Sequence, residues 1–114
     1  YVQSIELSGA DAMEKAAKIL SDLRANPPAS IGDALVTEVR DYRSSISINT
    51  KTKEETKILL PKSNVLEYIL GESGSVIVRP SGTEPKVKYY YTAIAENKEL
   101  AKSALDRMIE QMSR

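Results

Sequence analysis

Ten consecutive residues, Arg79-Pro80-Ser81-Gly82-Thr83-Glu84-Pro85-Lys86-Val87-Lys88, bring an arginine, two hydroxyls, a glycine and two lysines into one short connection. Gly82 can take a positive φ, which lets successive backbone N–H groups converge on one point. Ser81 and Thr83 add hydroxyl donors. The planar fork of Arg79 suits two oxygens of one anion. Lys86 and Lys88 share a face if the following run is a strand, because side chains alternate along a strand. Together these groups suit an oxyanion, a phosphate ester above all. The same residue types also make ordinary hairpin turns. Glu84 fits a phosphate site only if it points away or pairs with a lysine. On composition alone both readings stand.

The elements that must aim this connection are legible from patterning. Val2 to Leu7 alternates apolar and polar residues and reads as a strand. Ser8, with an acid three positions on, resembles a capping box. A helix should follow, with Ala12, Met13, Ala16, Ala17, Ile19, Leu20 and Leu23 forming its apolar stripe. Asn26-Pro27-Pro28 stops it, since proline disfavours helical geometry in the residue before it. Ala34 to Tyr42 is a second strand. In 44–60, Ile46 and Ile48 alternate with serines, and Thr50 to Thr56 reads as a solvated loop or a mobile hairpin tip. Val65 to Leu70 suits a strand or one buried helical turn. The Gly71-Glu72-Ser73-Gly74 turn after it favours a strand paired with Ser75 to Val78. Lys86 to Ile94 forms the next strand. Alternation puts Val87, Tyr89 and Tyr91 toward the helices and Lys86, Lys88 and Tyr90 on the opposite face. Asn97 caps a last helix whose apolar face is Leu100, Ala101, Ala104, Leu105, Met108, Ile109 and Met112. The order is strand, helix, four strands, helix (β-α-β-β-β-β-α). It predicts an α+β domain in which an antiparallel sheet carries both helices on one face and leaves the other open.

Composition narrows the function. The 114 residues fit one domain, 1–114. Lysine plus arginine and aspartate plus glutamate each number 16, so bulk electrostatics do not favour a nucleic acid or a membrane. There is no cysteine, which fits a reducing compartment, and no histidine, the commonest general base and metal ligand. Phe and Trp are also absent, so aliphatic side chains and the six tyrosines must fill the core. The acids show no metal-ligand spacing. Glu38, Arg40 and Asp41 read as ordinary surface charges. Tyr89-Tyr90-Tyr91 suggests base stacking, but alternation splits the three between faces and no continuous platform forms. The chain opens on Tyr1 in what already reads as structure. It is therefore expected to be a piece of a longer protein, with a processed N-terminus as the alternative.

The order of residues in Arg79-Pro80-Ser81-Gly82-Thr83-Glu84-Pro85-Lys86 goes further, because it resembles the phosphate-binding loop of the α-D-phosphohexomutases. That family includes phosphoglucomutase, phosphomannomutase and phosphoglucosamine mutase. The resemblance covers essentially the whole chain, whose element order is similar to the family's fourth, C-terminal, TATA-box-binding-protein-like domain. Leu60-Pro61-Lys62-Ser63-Asn64-Val65-Leu66 resembles the phosphoglucomutase and phosphopentomutase branch. The resemblance implies that Arg79, Ser81, Gly82 and Thr83 contact a substrate phosphate, with Lys88 where relatives often place another basic residue. It implies a cytoplasmic isomerase acting by intramolecular phosphotransfer between the 1- and 6-positions of a hexose phosphate. Its phosphoserine, its Mg²⁺ and most sugar contacts would lie in preceding domains of the same polypeptide, and glucose 1,6-bisphosphate would serve as intermediate. The family's Thr-Ala-Ser-His-Asn-Pro, Asp-Gly-Asp-Gly-Asp and Gly-Glu-Glu-Ser-Gly-His motifs are missing from this chain. The chain alone is therefore expected to bind, to close a cleft and to lack catalysis, with no catalytic or metal-binding residue of its own. A stand-alone sheet-face binding module for nucleic acid or protein, with a merely structural Ser-Gly-Thr turn, is the alternative.

Overall fold

A computed structural model describes the backbone of residues 2–6 and, in full, most of residues 12–80 and 86–112. The elements in order are β1 (Val2–Glu6), α1 (Ala12–Ala25), β2 (Ser30–Ile31), β3 (Ala34–Leu35), β4 (Glu38–Asp41), β5 (Ile46–Asn49), β6 (Glu55–Lys57), β7 (Leu66–Ile69), β8 (Gly74–Pro80), β9 (Lys86–Ala93) and α2 (Lys98–Met112). Seven strands form one sheet in the order β1-β9-β8-β7-β4-β5-β6, every pairing antiparallel, and β2 with β3 makes a separate hairpin.

The core lies where alternation places it. Leu66 and Tyr68 of β7, Val76 and Val78 of β8, and Val87, Tyr89 and Tyr91 of β9 are all buried on one face. Ala16 and Leu20 of α1 and Met108 of α2 close over them, flanked by Ile19, Leu23, Leu105, Ile109 and Met112. The α1 stripe is narrower than its sequence suggests. Met13 and Ala17 are exposed, and among the described residues of the helix only Ala16 and Leu20 are fully buried. On α2, Leu100 is likewise exposed. Asn97 caps α2 as expected, its Oδ1 accepting from the Leu100 N–H at 2.9 Å. At the other end of α1, the Asn26 N–H reaches back to the Asp22 carbonyl at 2.9 Å before the two prolines end the helix.

The strand count departs from expectation. Four strands are expected between the helices, and β2 to β9 lie there instead. The run 34–42 splits at Val36-Thr37 into β3 and β4, because Gly32 and Asp33 turn the chain so that Ser30–Ile31 pairs with Ala34–Leu35. α2 holds that hairpin. Gln111 accepts from the Gly32 N–H at 2.9 Å and donates to the Ser30 carbonyl at 2.6 Å, and Arg107 pairs with Asp33. Ile46–Asn49 and Glu55–Lys57 form a hairpin that extends the sheet. Its tip is an Asn49-centred turn, with Oδ1 accepting from the N–H groups of Lys51 and Thr52, each at 3.0 Å.

One glycine is compulsory. Gly74 has φ 139°, and a Cβ there would lie 1.9 Å from the Thr92 carbonyl oxygen of β9. Close approach of backbone at this corner starts the β8/β9 ribbon, whose far end bears the Arg79–Lys88 connection. Among the described residues, no helix is long and apolar enough to cross a membrane.

Candidate functional site

The register of β8 and β9 decides what the ribbon offers. Arg79 lies directly opposite Lys88, Ile77 opposite Tyr90, and Ser75 opposite Thr92, all on the face away from the helices. Lys88 also pairs with position 4 of β1, so it sits in mid-sheet, between two strands. Directly opposed side chains in such a ribbon start about 5 Å apart, and like charges there repel. Among the described residues, no carboxylate pairs with Arg79 or with Lys88. The guanidinium of Arg79 instead lies 5.7 Å from the centroid of the Tyr90 ring. Tyr90 is diagonal to Arg79, the relation from which a long side chain reaches an aromatic neighbour.

Two cations thus stand together at the mouth of the connection, which is what an anion site requires. Of the five residues the sequence nominates, Arg79 and Lys88 are brought side by side. Ser81, Gly82 and Thr83 lie outside the described residues, as does Glu84. The Ser8 capping box and Tyr1 also fall outside them. Tyr89 and Tyr91 stack on the helix side, centroids 6.2 Å apart and planes 11° from parallel. Burial raises the pKa of Tyr89. Tyr90 is half-buried on the open face, where alternation places it, so not every tyrosine fills the core. With one tyrosine of the triplet there, no aromatic platform for bases forms.

The second charged group on the open face is built differently. Arg40 of β4 is opposite Glu67 of β7 on one side and Ser47 of β5 on the other. Its guanidinium binds Glu38 through Nε, and Nη1 lies 3.6 Å from Glu67 Oε1. Tyr42 donates its hydroxyl to the same Glu67 oxygen at 2.7 Å. The hydrogen bond to Arg40 holds the Glu38 carboxyl below its usual range, and Glu38 in turn raises the pKa of Arg40. Burial, then the bond to Glu67, raises that of Tyr42. One guanidinium against two carboxylates leaves this group no positive charge to offer an anion.

Asp41 is not the surface charge its sequence context suggests. It points to the helix side, and Arg24 of α1 grips it with Nε at 3.0 Å and with Nη2 at 3.2 Å. Burial pushes its pKa up, but the bonds from Arg24 and from the Arg43 N–H outweigh that and leave it lowered. This pair lines a hollow of about 470 Å³, together with Leu23, Pro27, Ile46 and Ile48. The hollow lies on the helix side and contains neither Arg79 nor Lys88. Among the described residues, no group of three or more His, Cys, Asp or Glu could hold a metal ion.

Sequence reasoning missed the Arg79–Tyr90 stack and the neutralisation of Arg40. Alternation puts the right residues on one face, but only register says which are neighbours.

Comparison with known proteins places the chain among its relatives. Residues 10–111 match the family described as phosphoglucomutase/phosphomannomutase, C-terminal domain. A phosphoglucomutase of Staphylococcus aureus (strain MSSA476) is 33% identical over 103 residues, which are 90% of this chain and 18% of that protein. A phosphoglucomutase of Staphylococcus saprophyticus is 35% identical over 89 residues, 78% of this chain and 16% of that protein. The chain therefore spans less than a fifth of the length of these relatives. No solved structure matches it significantly.

Proposed function

The chain belongs to the phosphoglucomutase/phosphomannomutase C-terminal domain family, and on that premise we propose that it is the phosphate-gripping, cleft-closing domain of a longer phosphohexomutase. In this reading Arg79, Ser81, Gly82, Thr83 and Lys88 hold the phosphate that is not being transferred. The intact enzyme moves phosphate between the 1- and 6-positions of a hexose phosphate through a bisphosphate intermediate. The grip must release one phosphate and take the other when the intermediate turns round. The observation that carries this reading is the Arg79–Lys88 pair, two adjacent cations without a carboxylate among the described residues, on the strands that flank the connection.

The grip works by position and charge. Arg79 supplies parallel N–H donors, and Lys88 supplies a point charge from the next strand. A bound phosphate would relieve the repulsion between them, so part of the binding energy comes from removing an unfavourable contact in the free domain. Binding energy gained at the distant phosphate can orient the reacting end of the sugar, which is where positioning dominates phosphoryl transfer. Mg²⁺ would assist that transfer elsewhere in the enzyme. The described residues here do not fit a metal ion, and no step of the grip is routed through one.

An amide NMR titration of the 114-residue chain with glucose 1,6-bisphosphate at low salt tests the proposal, with glucose as control. Shifts should concentrate between Arg79 and Lys88, with an affinity in the millimolar range, since one connection supplies few contacts. An absence of shifts there, or equal shifts with glucose, would remove the phosphate-gripping reading.

A further inference from the structure

We infer that Tyr90 is a positioning residue for the anion grip: its ring carries the Arg79 guanidinium and pre-sets the arginine fork for a phosphate. The inference rests on the phosphate-gripping reading of the Arg79–Lys88 connection.

The argument starts from Arg79 itself. It is exposed, long and flexible, so gripping a ligand would ordinarily cost it rotamer freedom. Lys88, directly opposite, repels it and offers no resting place. The diagonal neighbour does, because the guanidinium lies 5.7 Å from the Tyr90 centroid. A guanidinium attracted to a ring face keeps in-plane N–H groups free, and those are the donors that make a bidentate contact with two oxygens. The ring is steadied in its turn. Tyr90 is half-buried, opposite Ile77 on β8 and position 2 on β1. A ring set between two strands has a fixed face, and a fixed face limits where the arginine rests.

Tyr90 also has no other evident duty. The core takes Tyr89 and Tyr91, which stack on each other on the helix side. No hydrogen bond involving the Tyr90 hydroxyl is seen among the described residues, whereas Tyr42 on the same face donates to Glu67. What Tyr90 contributes is therefore its ring, and phenylalanine should replace it without loss.

The test uses the 114-residue chain with inorganic phosphate and glucose 1-phosphate as probes, in wild type, Tyr90→Phe, Tyr90→Leu and Arg79→Ala. Tyr90→Thr, a β-branched strand residue, is a second ring-free variant in case the leucine variant does not fold. Two readouts are taken: the NMR shift of the Arg79 Nε–H without ligand, and the Kd for each probe. Removing the ring should shift Nε–H downfield by loss of ring current and weaken the Kd by roughly twofold to fivefold. Tyr90→Phe should keep both values. An unmoved Nε–H in the ring-free variants, or an unchanged Kd while Arg79→Ala abolishes binding, would overturn the role of Tyr90 and leave the grip intact. Failure of wild type to bind either probe would instead overturn the grip, and the inference with it.

Discussion

Two arginines project from the same face of the same sheet, and their neighbours give them opposite characters. Arg40 sits beside Glu38 and opposite Glu67, in a network that Tyr42 completes. Arg79 sits opposite Lys88, with a tyrosine ring for company. The first cation is satisfied and contributes to holding β4 on β7. The second is left available for an anion. Under the proposed function, an arginine becomes a ligand-binding group through what the opposing strand withholds from it, as much as through its own chemistry. The hollow on the helix side makes the same point: room alone, with Arg24 already committed to Asp41, does not make an anion site.

The largest effect that would break this comparison is the removal of the available arginine. Arg79→Ala in the full-length enzyme should lower kcat/KM for sugar phosphate by about 10²-fold, roughly 3 kcal/mol for a lost charged contact. Arg40→Ala should leave kcat/KM within about twofold, the scale of a surface change away from the site. Equal losses in the two variants, measured by steady-state kinetics, would show that the neighbourhoods do not differ in function.

A charge reversal sharpens the contrast. Lys88→Glu gives Arg79 an opposing carboxylate, making this corner resemble that of Arg40. Phosphate affinity should fall by about tenfold or more, while stability rises by roughly 0.2–1 kcal/mol as a repelling pair becomes an attracting one. Titration calorimetry and urea denaturation of one variant report both changes, and a fall in stability would contradict the register argument.

Glu67→Gln tests the satisfied corner. The side chain is 15% exposed and serves both Arg40 and Tyr42. Its loss of charge should cost about 1 kcal/mol of stability, with phosphate affinity unchanged. A drop in affinity would mean that the two corners are coupled across the sheet.

The smallest effect is in acid. The carboxyl of Glu38 is held below its ordinary value of 4.5 by Arg40. Its contribution to stability is therefore fully present above about pH 4.5 and is lost as the pH falls through the lower, folded-state value. Both partners are partly exposed, so the loss is modest. Arg40→Met should flatten the fall in urea midpoint between neutral pH and about pH 3, and Arg79→Met should not. A fall as steep in Arg40→Met as in wild type would exclude this pair as a source of acid sensitivity.

Much of this domain is legible in the amino-acid order. Alternation marks β1, β7, β8 and β9, because a strand with one buried face must place apolar residues at every second position. The stripes and stops of α1 and α2 follow from helical periodicity, the paired prolines and Asn97. The Arg79 to Lys88 run is recognisable from its letters, and the face of Lys88 follows from counting. Other parts leave no such trace. The strands of the β2/β3 hairpin are too short to show a period. β6 is exposed throughout and has no apolar residue to betray it. Met13, Ala17 and Leu100 look like core and are not, because how a helix is seated decides which part of its stripe is covered.

The amino-acid order by itself determined the two helices and the longer strands, which side chains share a face, and that an arginine, two hydroxyls, a glycine and two lysines stand in one short run. Only the tertiary structure decided which of those residues are neighbours. Strand register, set by Gly74 against Thr92 and by the packing of buried valines and tyrosines, put Arg79 beside Lys88 and Tyr90 and put Arg40 beside Glu67. The physical reason is that alternation is a local property of one strand, whereas pairing depends on contacts far apart in sequence. A slip of register would leave every pattern in the sequence intact and give Arg79 different company.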